Sequence, residues 1–272
     1  MRDSHIHTKY SDGELDEYEI IEEVFKSGVT EFTICDHDTI IGSQKVFDVL
    51  KANNPHNLKF HSGVELSCRI PDMFGGINVH ILYRDFEYSN QKLKRFLDEI
   101  SIKRAKKVDL MVQFVKETFG VEIPKQEIEE LKTHTTIIGK PHIYQLLIKH
   151  KPMDCEVYYK AMKRLPSQNL KLDLYELLKE LKDDVGYFTL AHPIEIMEEY
   201  GLSYADVESI VARFAPLGIK ALETKHYKIS KEESQIFHQI AEKYGLAETE
   251  GSDFHGPHVK PNLHIGDIQK PN

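Results

Sequence analysis

The chain has 272 residues, of which 40% are hydrophobic and 29% are charged, and its formal net charge is −9. This acidic balance argues against duplex DNA as a partner, because phosphate contacts need an extended basic surface, and no run of about 18 apolar residues is present to form a membrane span. The three cysteines (Cys35, Cys68 and Cys155) are widely separated, and the N-terminal sequence MRDSHIHTKYSDG lacks an apolar secretory core, so we expect a cytoplasmic protein without disulfides.

The first third of the chain alternates between strand-like and helix-like segments. Apolar residues at helical spacing predict helices, and short apolar runs predict strands. In chain order we predict a strand at residues 4–8, a helix at 15–27, a strand at 31–35, a helix at 42–52, and strands at 58–68 and 77–83.

The middle of the chain, from about residue 90 to 182, is mostly helical and is divided by prolines. The alternation then resumes with a strand at 187–191, a helix at 204–214, a strand at 220–224, a helix at 230–244 and a strand at 248–252. This pattern favours an α/β fold with a parallel sheet and helical crossovers. The helical block indicates an insertion into a βα loop, which in parallel barrels lies at the active-site end.

Polar residues in or just after the predicted strands carry the chemistry. His5 and His7 share one face of a strand and could bind one metal ion. Two surface histidines on an edge strand would give the same pattern. Asp12 lies in an Asp-Gly turn, and a turn can also present a carboxylate. In Asp36-His37-Asp38 a helix cap could explain Asp38 but not His37.

Four further residues extend this pattern. Glu65 lies inside an apolar run, where a carboxylate is costly unless it is paired or metal-bound. Taken singly, His80 and His192 are better explained as hydrogen-bonded core histidines. Asp253 and His255 share a face if the last strand persists.

Together these signals predict a multinuclear metal cluster. Six histidines and three carboxylates lie in or shortly after predicted strands, and imidazole and carboxylate ligands suit Mn, Zn or Fe. Nine candidates exceed the three or four protein ligands of a single zinc site. The candidates are His5, His7, Asp12, His37, Glu65, His80, His192, Asp253 and His255.

The order His-x-His, Ser-Asp-Gly, Asp-His-Asp, Gly-Val-Glu, Val-His-Ile-Leu, Ala-His-Pro and Ser-Asp-Phe-His resembles the polymerase-and-histidinol-phosphatase (PHP) family of metal-dependent phosphoesterases. The motifs extend from His5 to His255. Gly139-Lys140-Pro141-His142 and Asp36-His37-Asp38-Thr39 make the chain most similar to the nucleoside-phosphate branch of that family. The resemblance implies a distorted (β/α)7 barrel at residues 1–88 and 184–272, with an inserted helical lid subdomain at 89–183.

The resemblance also implies how the ligands are divided among two or three divalent ions. His5, His7, Glu65 and Asp253 would hold the first ion. Glu65 would bridge to a second ion, held also by His80 and His192. Asp12, His37 and His255 would hold a third. A hydroxide that bridges two ions would then attack a small phosphate ester such as AMP, a 3′,5′-nucleoside bisphosphate, a cyclic nucleotide phosphate or a short RNA end.

Four residues are candidates for catalysis or phosphate binding. Asp36 would orient ligand histidines or transfer a proton. Lys140 and His142 would offset phosphoryl charge, although relatives commonly have Arg in place of Lys140, and solvated helix positions would explain both residues equally well. His226, with Lys225 before it, follows a strand where it could face phosphate or solvent. Arg104 and Arg164 are expected on solvated helix faces.

Three alternatives remain open at this point. A histidinol-phosphate phosphatase would carry the same metal motifs. A noncatalytic metal-binding module would show lost ligands, and here every expected position is filled. Amidohydrolase chemistry also occurs on histidine-rich barrels, but the Asp-His-Asp and Ser-Asp-Phe-His motifs favour a phosphoesterase.

Overall fold

The computed structural model describes residues 1–166 and 170–270, and these ranges contain two β-sheets surrounded by helices. The strands are β1 (Arg2–Ile6), β2 (Glu31–Ile34), β3 (Lys59–His61), β4 (Gly63–Ile70), β5 (Ile77–Arg84), β6 (Leu172–Asp173), β7 (Tyr187–Leu190), β8 (Ile219–His226) and β9 (Ala247–Gly251). The helices are α1 (Glu17–Lys26), α2 (Ile41–Ala52), α3 (Gln91–Phe119), α4 (Lys125–Lys132), α5 (Lys140–His150), α6 (Cys155–Met162), α7 (Leu174–Leu181), α8 (Pro193–Tyr200), α9 (Tyr204–Phe214) and α10 (Lys231–Lys243). None of the helices in these ranges combines the length and the apolar character needed to cross a bilayer.

The predicted mixture of strands and helices is confirmed, but the sheets are not wholly parallel. One sheet has the order β1-β2-β3 and is parallel, and the other has the order β6-β4-β5-β7-β8-β9. In the second sheet, β5 runs antiparallel to both β4 and β7. Only six residues separate Ile70 from Ile77, and a connection this short permits a hairpin but not a parallel crossover.

The strand predicted at residues 58–68 is two strands in different sheets. β3 ends at His61 and pairs with β2, whereas β4 begins at Gly63 and pairs with β5. At Gly63 a Cβ atom would lie 2.3 Å from the Thr33 side chain and 2.6 Å from the Ile34 carbonyl oxygen. Only glycine therefore fits where the chain passes against β2 to enter the second sheet.

The expected (β/α)7 barrel does not close as a continuous hydrogen-bonded sheet, and the prediction is wrong in this respect. Two isolated parallel bridges join the sheets, one between Ile6 and Phe254 and one between His37 and Glu65. The ladder of β1 and β2 ends at Ile6 and Ile34, and buried polar residues such as His7 and Asp36 follow it. The confirmed architecture is therefore a mixed α/β fold that contains parallel strands.

The helical segment has an apolar core of its own. Val108, Met111, Ile143, Leu147 and Tyr158 pack together between α3, α5 and α6. The N-terminal half of α3, β6 and α7 instead contribute to the core beneath the six-stranded sheet. The domain boundaries proposed from the sequence remain a prediction, and residues 167–169 and 271–272 within them lie outside the described residues.

Candidate metal centre

The nine side chains predicted as metal ligands lie in one continuous and largely buried cluster where the two sheets meet. They come from β1, β4 and β5 and from the segments that follow β1, β2, β7 and β9. His5 and His7 are fully buried, and Glu65 is 1% exposed. Because these strands bring their polar residues to one place, groups far apart in sequence become neighbours.

The first group contains His5, His7, Glu65 and Asp253, whose ligand atoms all lie within 4.8 Å of one another. Glu65 Oε2 lies 3.3 Å from His5 Nε2 and 3.1 Å from His7 Nε2. Asp253 Oδ1 lies 3.2 Å from His7 Nε2. Two imidazoles and two carboxylates around one point form a donor set suited to a single divalent ion.

The other carboxylate oxygen of Glu65 contacts a second group of histidines. Glu65 Oε1 lies 2.8 Å from His80 Nδ1 and 2.9 Å from His192 Nε2. His37 Nδ1 lies 3.0 Å from Glu65 Oε2, and His37, Glu65 and His80 also converge. Glu65 is therefore the carboxylate shared between neighbouring groups of histidines.

A third group consists of His7, Asp12, His37 and His255. His255 Nε2 lies 3.3 Å from Asp12 Oδ1, and His37 Nε2 lies 3.8 Å from Asp12 Oδ2. The His7 and His255 rings stack with their centroids 4.0 Å apart. His7 thus belongs to two groups, which joins the third group to the first.

Four buried polar atoms in this cluster lack a hydrogen-bond partner: Asp12 Oδ1, His37 Nδ1, Glu65 Oε2 and His192 Nδ1. Buried polar atoms without partners are costly, so the cluster fits cations that would accept these lone pairs. Burial lowers the pKa of His37 to about 4, which leaves its imidazole neutral and free to act as a ligand. Burial alone would raise the pKa of Glu65, but the surrounding histidines hold it well below its usual range.

Glu223 is a buried carboxylate that the sequence reasoning missed. It is 0% exposed, and its Oε1 accepts from His5 Nδ1 at 3.1 Å. Its Oε2 accepts from the His192 backbone N–H at 2.7 Å, where His192 has a φ of 24°. This contact helps to hold His192 in a conformation that L-residues rarely adopt. A charged residue inside the apolar strand at 220–224 was the available signal.

The Asp36 carboxylate orders the segment that follows β1. It accepts from the Thr8 backbone N–H at 2.7 Å, from the Thr8 hydroxyl at 2.6 Å and from the Ser11 hydroxyl at 2.7 Å. Ser11 Oγ in turn lies 3.4 Å from His7 Nδ1. Burial raises the pKa of Asp36 to about 6.

The other predicted catalytic residues occupy different places. His226 is fully buried, and its Nε2 lies 3.5 Å from Asp253 Oδ2. Lys225 instead pairs with Glu250 at 3.0 Å. His142 lies in the first turn of α5, where its Nδ1 accepts from the Gly139 N–H, and Lys140 is the first residue of that helix.

The positions of two basic residues, Arg104 and Lys260, differ from the sequence prediction or were absent from it. Arg104, expected on a solvated face, is only 8% exposed, and its Nε donates to Asp38 Oδ2 at 2.7 Å, so that prediction is wrong. The amphipathic pattern of α3 could not show that Asp38 would meet this helix. Lys260, which lies after the last strand, donates to the Asp253 carboxylate and, at 2.9 Å, to its carbonyl oxygen. Arg164 is exposed as predicted, but it lies in the turn that follows α6 and not on a helix.

No protein-family model matches the chain. A 5′-3′ exoribonuclease from Haemophilus influenzae is 22% identical over 260 residues, which cover 94% of this chain and 90% of that protein. A phosphoribosyl 1,2-cyclic phosphate 1,2-diphosphodiesterase from Eggerthella lenta is 22% identical over 275 residues, which cover 95% and 97% of the two chains.

Two solved structures share the fold along nearly the whole chain. A candidate metal-dependent phosphoesterase from Bifidobacterium adolescentis aligns with a TM-score of 0.77 and 22% identity, covering 100% of this chain and 92% of that one. An amidohydrolase from Chromobacterium violaceum, with sulfate bound and no metal, aligns with a TM-score of 0.82 and 20% identity, covering 99% and 93%. The resemblance to metal-dependent phosphoesterases that the motif order predicts is thereby confirmed, and the structural likeness establishes the fold.

Proposed function

We propose that this chain is a metal-dependent phosphoesterase that hydrolyses small phosphate esters of nucleotides. The observation that carries the proposal is the largely buried cluster of six histidines and three carboxylates, in which four polar atoms lack a hydrogen-bond partner. Such a cluster is costly for a folded chain unless it binds cations. The relatives named for hydrolysis of phosphate esters support the same reaction class.

Two or three divalent ions (Mn, Zn or Fe) would occupy the cluster, because imidazole and carboxylate ligands suit these metals. The first group would hold one ion through His5, His7 and Asp253 with Glu65, and the second would use His80 and His192 with Glu65. Asp12, His37 and His255 would hold a third. Bound ions would lower the pKa of a coordinated water and offset the charge on phosphoryl oxygens.

The protein's own groups would prepare this centre for reaction. Glu223 fixes the His5 ring through Nδ1, which leaves Nε2 directed toward Glu65. Asp36 holds Thr8 and Ser11 and so fixes the segment that carries His7 and Asp12. Lys140 and His142 at the start of α5 are proposed to bind phosphoryl oxygens, and His226 to support Asp253.

A nucleotide is proposed as the substrate because the two relatives are named for RNA and for a ribosyl cyclic phosphate. Histidinol phosphate remains the alternative substrate, since the same metal motifs would serve it. The amidohydrolase among the solved structures keeps C–N hydrolysis as a further alternative reaction. A substrate panel separates these possibilities.

The test is product release from AMP, adenosine 3′,5′-bisphosphate, a cyclic nucleotide, short RNA and histidinol phosphate, with Mn or Zn added. We expect nucleotide hydrolysis that is lost in His7→Ala and in the isosteric Glu65→Gln. The matched control is His238→Ala on α10, which removes a partly exposed histidine outside the cluster. A dominant rate on histidinol phosphate, or amide hydrolysis without phosphate release, would overturn the proposal.

A further inference from the structure

A small apolar layer lies next to the metal centre, between the strands that carry its ligands. Cys35, Leu82 and Ala191 pack together there, and each is 0% exposed. Leu82 follows His80 by two residues on β5, so the two side chains point to the same face of the strand. The apolar layer therefore separates the metal ligands from the residues that continue along the same strand faces.

The residues that continue these faces are polar: Thr33 on β2, Arg84 on β5 and Thr189 on β7. Gly63 lies opposite Arg84 in the ladder of β4 and β5, and a Cβ atom at Gly63 would lie 2.3 Å from the Thr33 side chain. Only a glycine thus separates Thr33 from Arg84. Thr189 pairs with Leu82 across β5 and β7, which places Thr189 diagonally beside Arg84.

Each of these three residues carries a buried polar atom that has no hydrogen-bond partner. The atoms are Thr33 Oγ1, Arg84 Nε and Thr189 Oγ1. Thr33 and Thr189 are 0% exposed, and Arg84 is 3% exposed. Hydroxyl and guanidinium groups can all donate hydrogen bonds. The polar layer (Thr33, Arg84 and Thr189) therefore offers three donor groups and one positive charge to an acceptor placed among them.

The charge of Arg84 is not neutralised by a neighbouring carboxylate. Throughout residues 1–166 and 170–270, no ion pair includes Arg84, and its guanidinium lies 5.6 Å from the centroid of the Tyr187 ring, which carries no net charge. The adjacent Asp85 instead contacts His61 at 2.6 Å, and Glu31 at the start of β2 contacts other basic side chains. Because a buried charge without a partner is costly, an anion beside Arg84 would stabilise the fold.

Thr249 on β9 extends this region toward solvent. It lies two residues before Gly251, where a Cβ atom would lie 2.3 Å from His5 Cβ, so Thr249 also faces the space between the strands. Thr249 Oγ1 is a further buried atom without a partner. Thr249 and Glu31, which lies two residues before Thr33, both line a surface cavity of about 400 Å³. The cavity therefore adjoins the polar layer on the side away from the metal ligands.

We propose that the polar layer binds one small inorganic anion of the chloride class, held by the Arg84 guanidinium and the hydroxyls of Thr33 and Thr189. A halide accepts several hydrogen bonds at once, so it satisfies all three groups and neutralises the guanidinium, whereas water would leave that charge unpaired. The anion joins β2, β5 and β7 on the far side of the apolar layer from the metal centre. The site is separate from the metals, and the inference does not depend on the proposed function.

The test measures thermal unfolding of the full chain while chloride replaces gluconate at constant ionic strength. We expect a saturable rise in Tm of roughly 5–10 °C when chloride exceeds its dissociation constant a hundredfold, because an anion that binds only the native state stabilises it. The rise should persist after treatment with a chelator, since the anion does not contact the metals. A rise that the chelator abolishes would place the anion at the metals and overturn the inference.

Arg84→Met and Thr189→Val test the proposed contacts, and Arg95→Met, at an exposed position on α3, is the matched control. Arg84→Met should abolish the effect of chloride on Tm, and the control should keep it. Thr189→Val should raise the Tm in gluconate, because it removes a buried hydroxyl without a partner, and it should reduce the gain from chloride. If Arg84→Met fails to fold, Thr189→Val supplies the comparison. An undiminished chloride effect in the variant that folds would contradict the proposed site.

Crystals grown in bromide identify the occupant directly. An anomalous scattering peak within hydrogen-bond distance of Arg84 Nε is the expected result. Ordered water at that position, without an anomalous signal, would show that the polar layer is hydrated and would reject the anion site.

Discussion

At the scale of single residues, the centre depends on side chains that hold the ligands as much as on the ligands themselves. Glu223 contacts the His5 ring and the His192 backbone, and both contacts are buried. Lys260 donates to Asp253 Oδ2, whereas His7 Nε2 lies 3.2 Å from Asp253 Oδ1. A carboxylate partner such as Glu223 fixes the orientation of a histidine ring and raises its basicity, and so tunes the affinity for a metal.

Glu223→Gln should therefore weaken metal binding without unfolding the chain. Glutamine keeps the shape but loses the charge that fixes the His5 ring, and we expect an affinity loss of about 10-fold to 100-fold. Competition with a coloured chelator measures the dissociation constant. Glu250→Gln on β9 is the control, since Glu250 pairs with Lys225 and does not contact the centre. An unchanged dissociation constant for Glu223→Gln would show that Glu223 has no positioning role.

At the scale of elements, the contact between α3 and the segment after β2 fixes the helical segment to the metal centre. Asp38 directly follows His37 and adopts a φ of 54°. Burial acts to raise the pKa of Asp38, but Arg104 and other partners lower it to about 2. Removing the partner of a buried charge destabilises a protein more than removing one member of a surface ion pair does. The pair thus links the position of a predicted ligand to the position of α3.

Arg104→Gln should lower the free energy of unfolding by about 3–5 kcal/mol, because it leaves the Asp38 carboxylate buried and unpaired. Urea denaturation at neutral pH measures the change. Arg164→Gln, at an exposed position, should change the same quantity by less than about 0.5 kcal/mol. Adding Asp38→Asn should recover part of the loss, and strict additivity of the two substitutions would contradict a direct coupling.

Lys171→Met should stabilise the chain at pH 7 by roughly 2–4 °C in Tm, which corresponds to about 1 kcal/mol. Burial and the charges of Arg104 and Lys140 lower the Lys171 pKa to about 8, although Asp38 opposes this effect. The unfolded chain binds this proton up to about pH 10.4, so wild-type stability should rise between pH 8 and 10. The difference in Tm between Lys171→Met and the wild type should therefore become smaller from pH 8 to pH 10. A difference in Tm that becomes larger as the pH rises would show that the charge of Lys171 does not destabilise the fold.

At the scale of the whole molecule, local patterns specify the elements and non-local pairing decides how they join. Periodicity and strand ends predicted the helices and the nine ligand candidates, because those signals lie within short segments. The chain switch at Gly63, the antiparallel direction of β5 and the incomplete closure of the barrel depend on contacts between distant segments. Arg104 and Glu223 were misjudged or missed for the same reason, since their partners lie far away in sequence.

Metal binding should contribute to the stability of the entire fold, because the cluster joins both sheets. An ion at a thousandfold excess over its dissociation constant stabilises the native state by about 4 kcal/mol, or roughly 8–16 °C in Tm. Thermal unfolding of chelator-treated protein, before and after addition of Mn, Zn or Fe(II), measures this shift.

Two isosteric variants divide the effect among the sites. Glu65→Gln should abolish most of the shift, because Glu65 faces histidines of every group. Asp12→Asn should reduce the shift only in part, since Asp12 contacts the third group alone. If both variants lose the metal-induced rise in Tm completely, the ions bind at one cooperative site and not at separable ones. If no metal raises the Tm of the wild type, the chain has no metal centre of this kind.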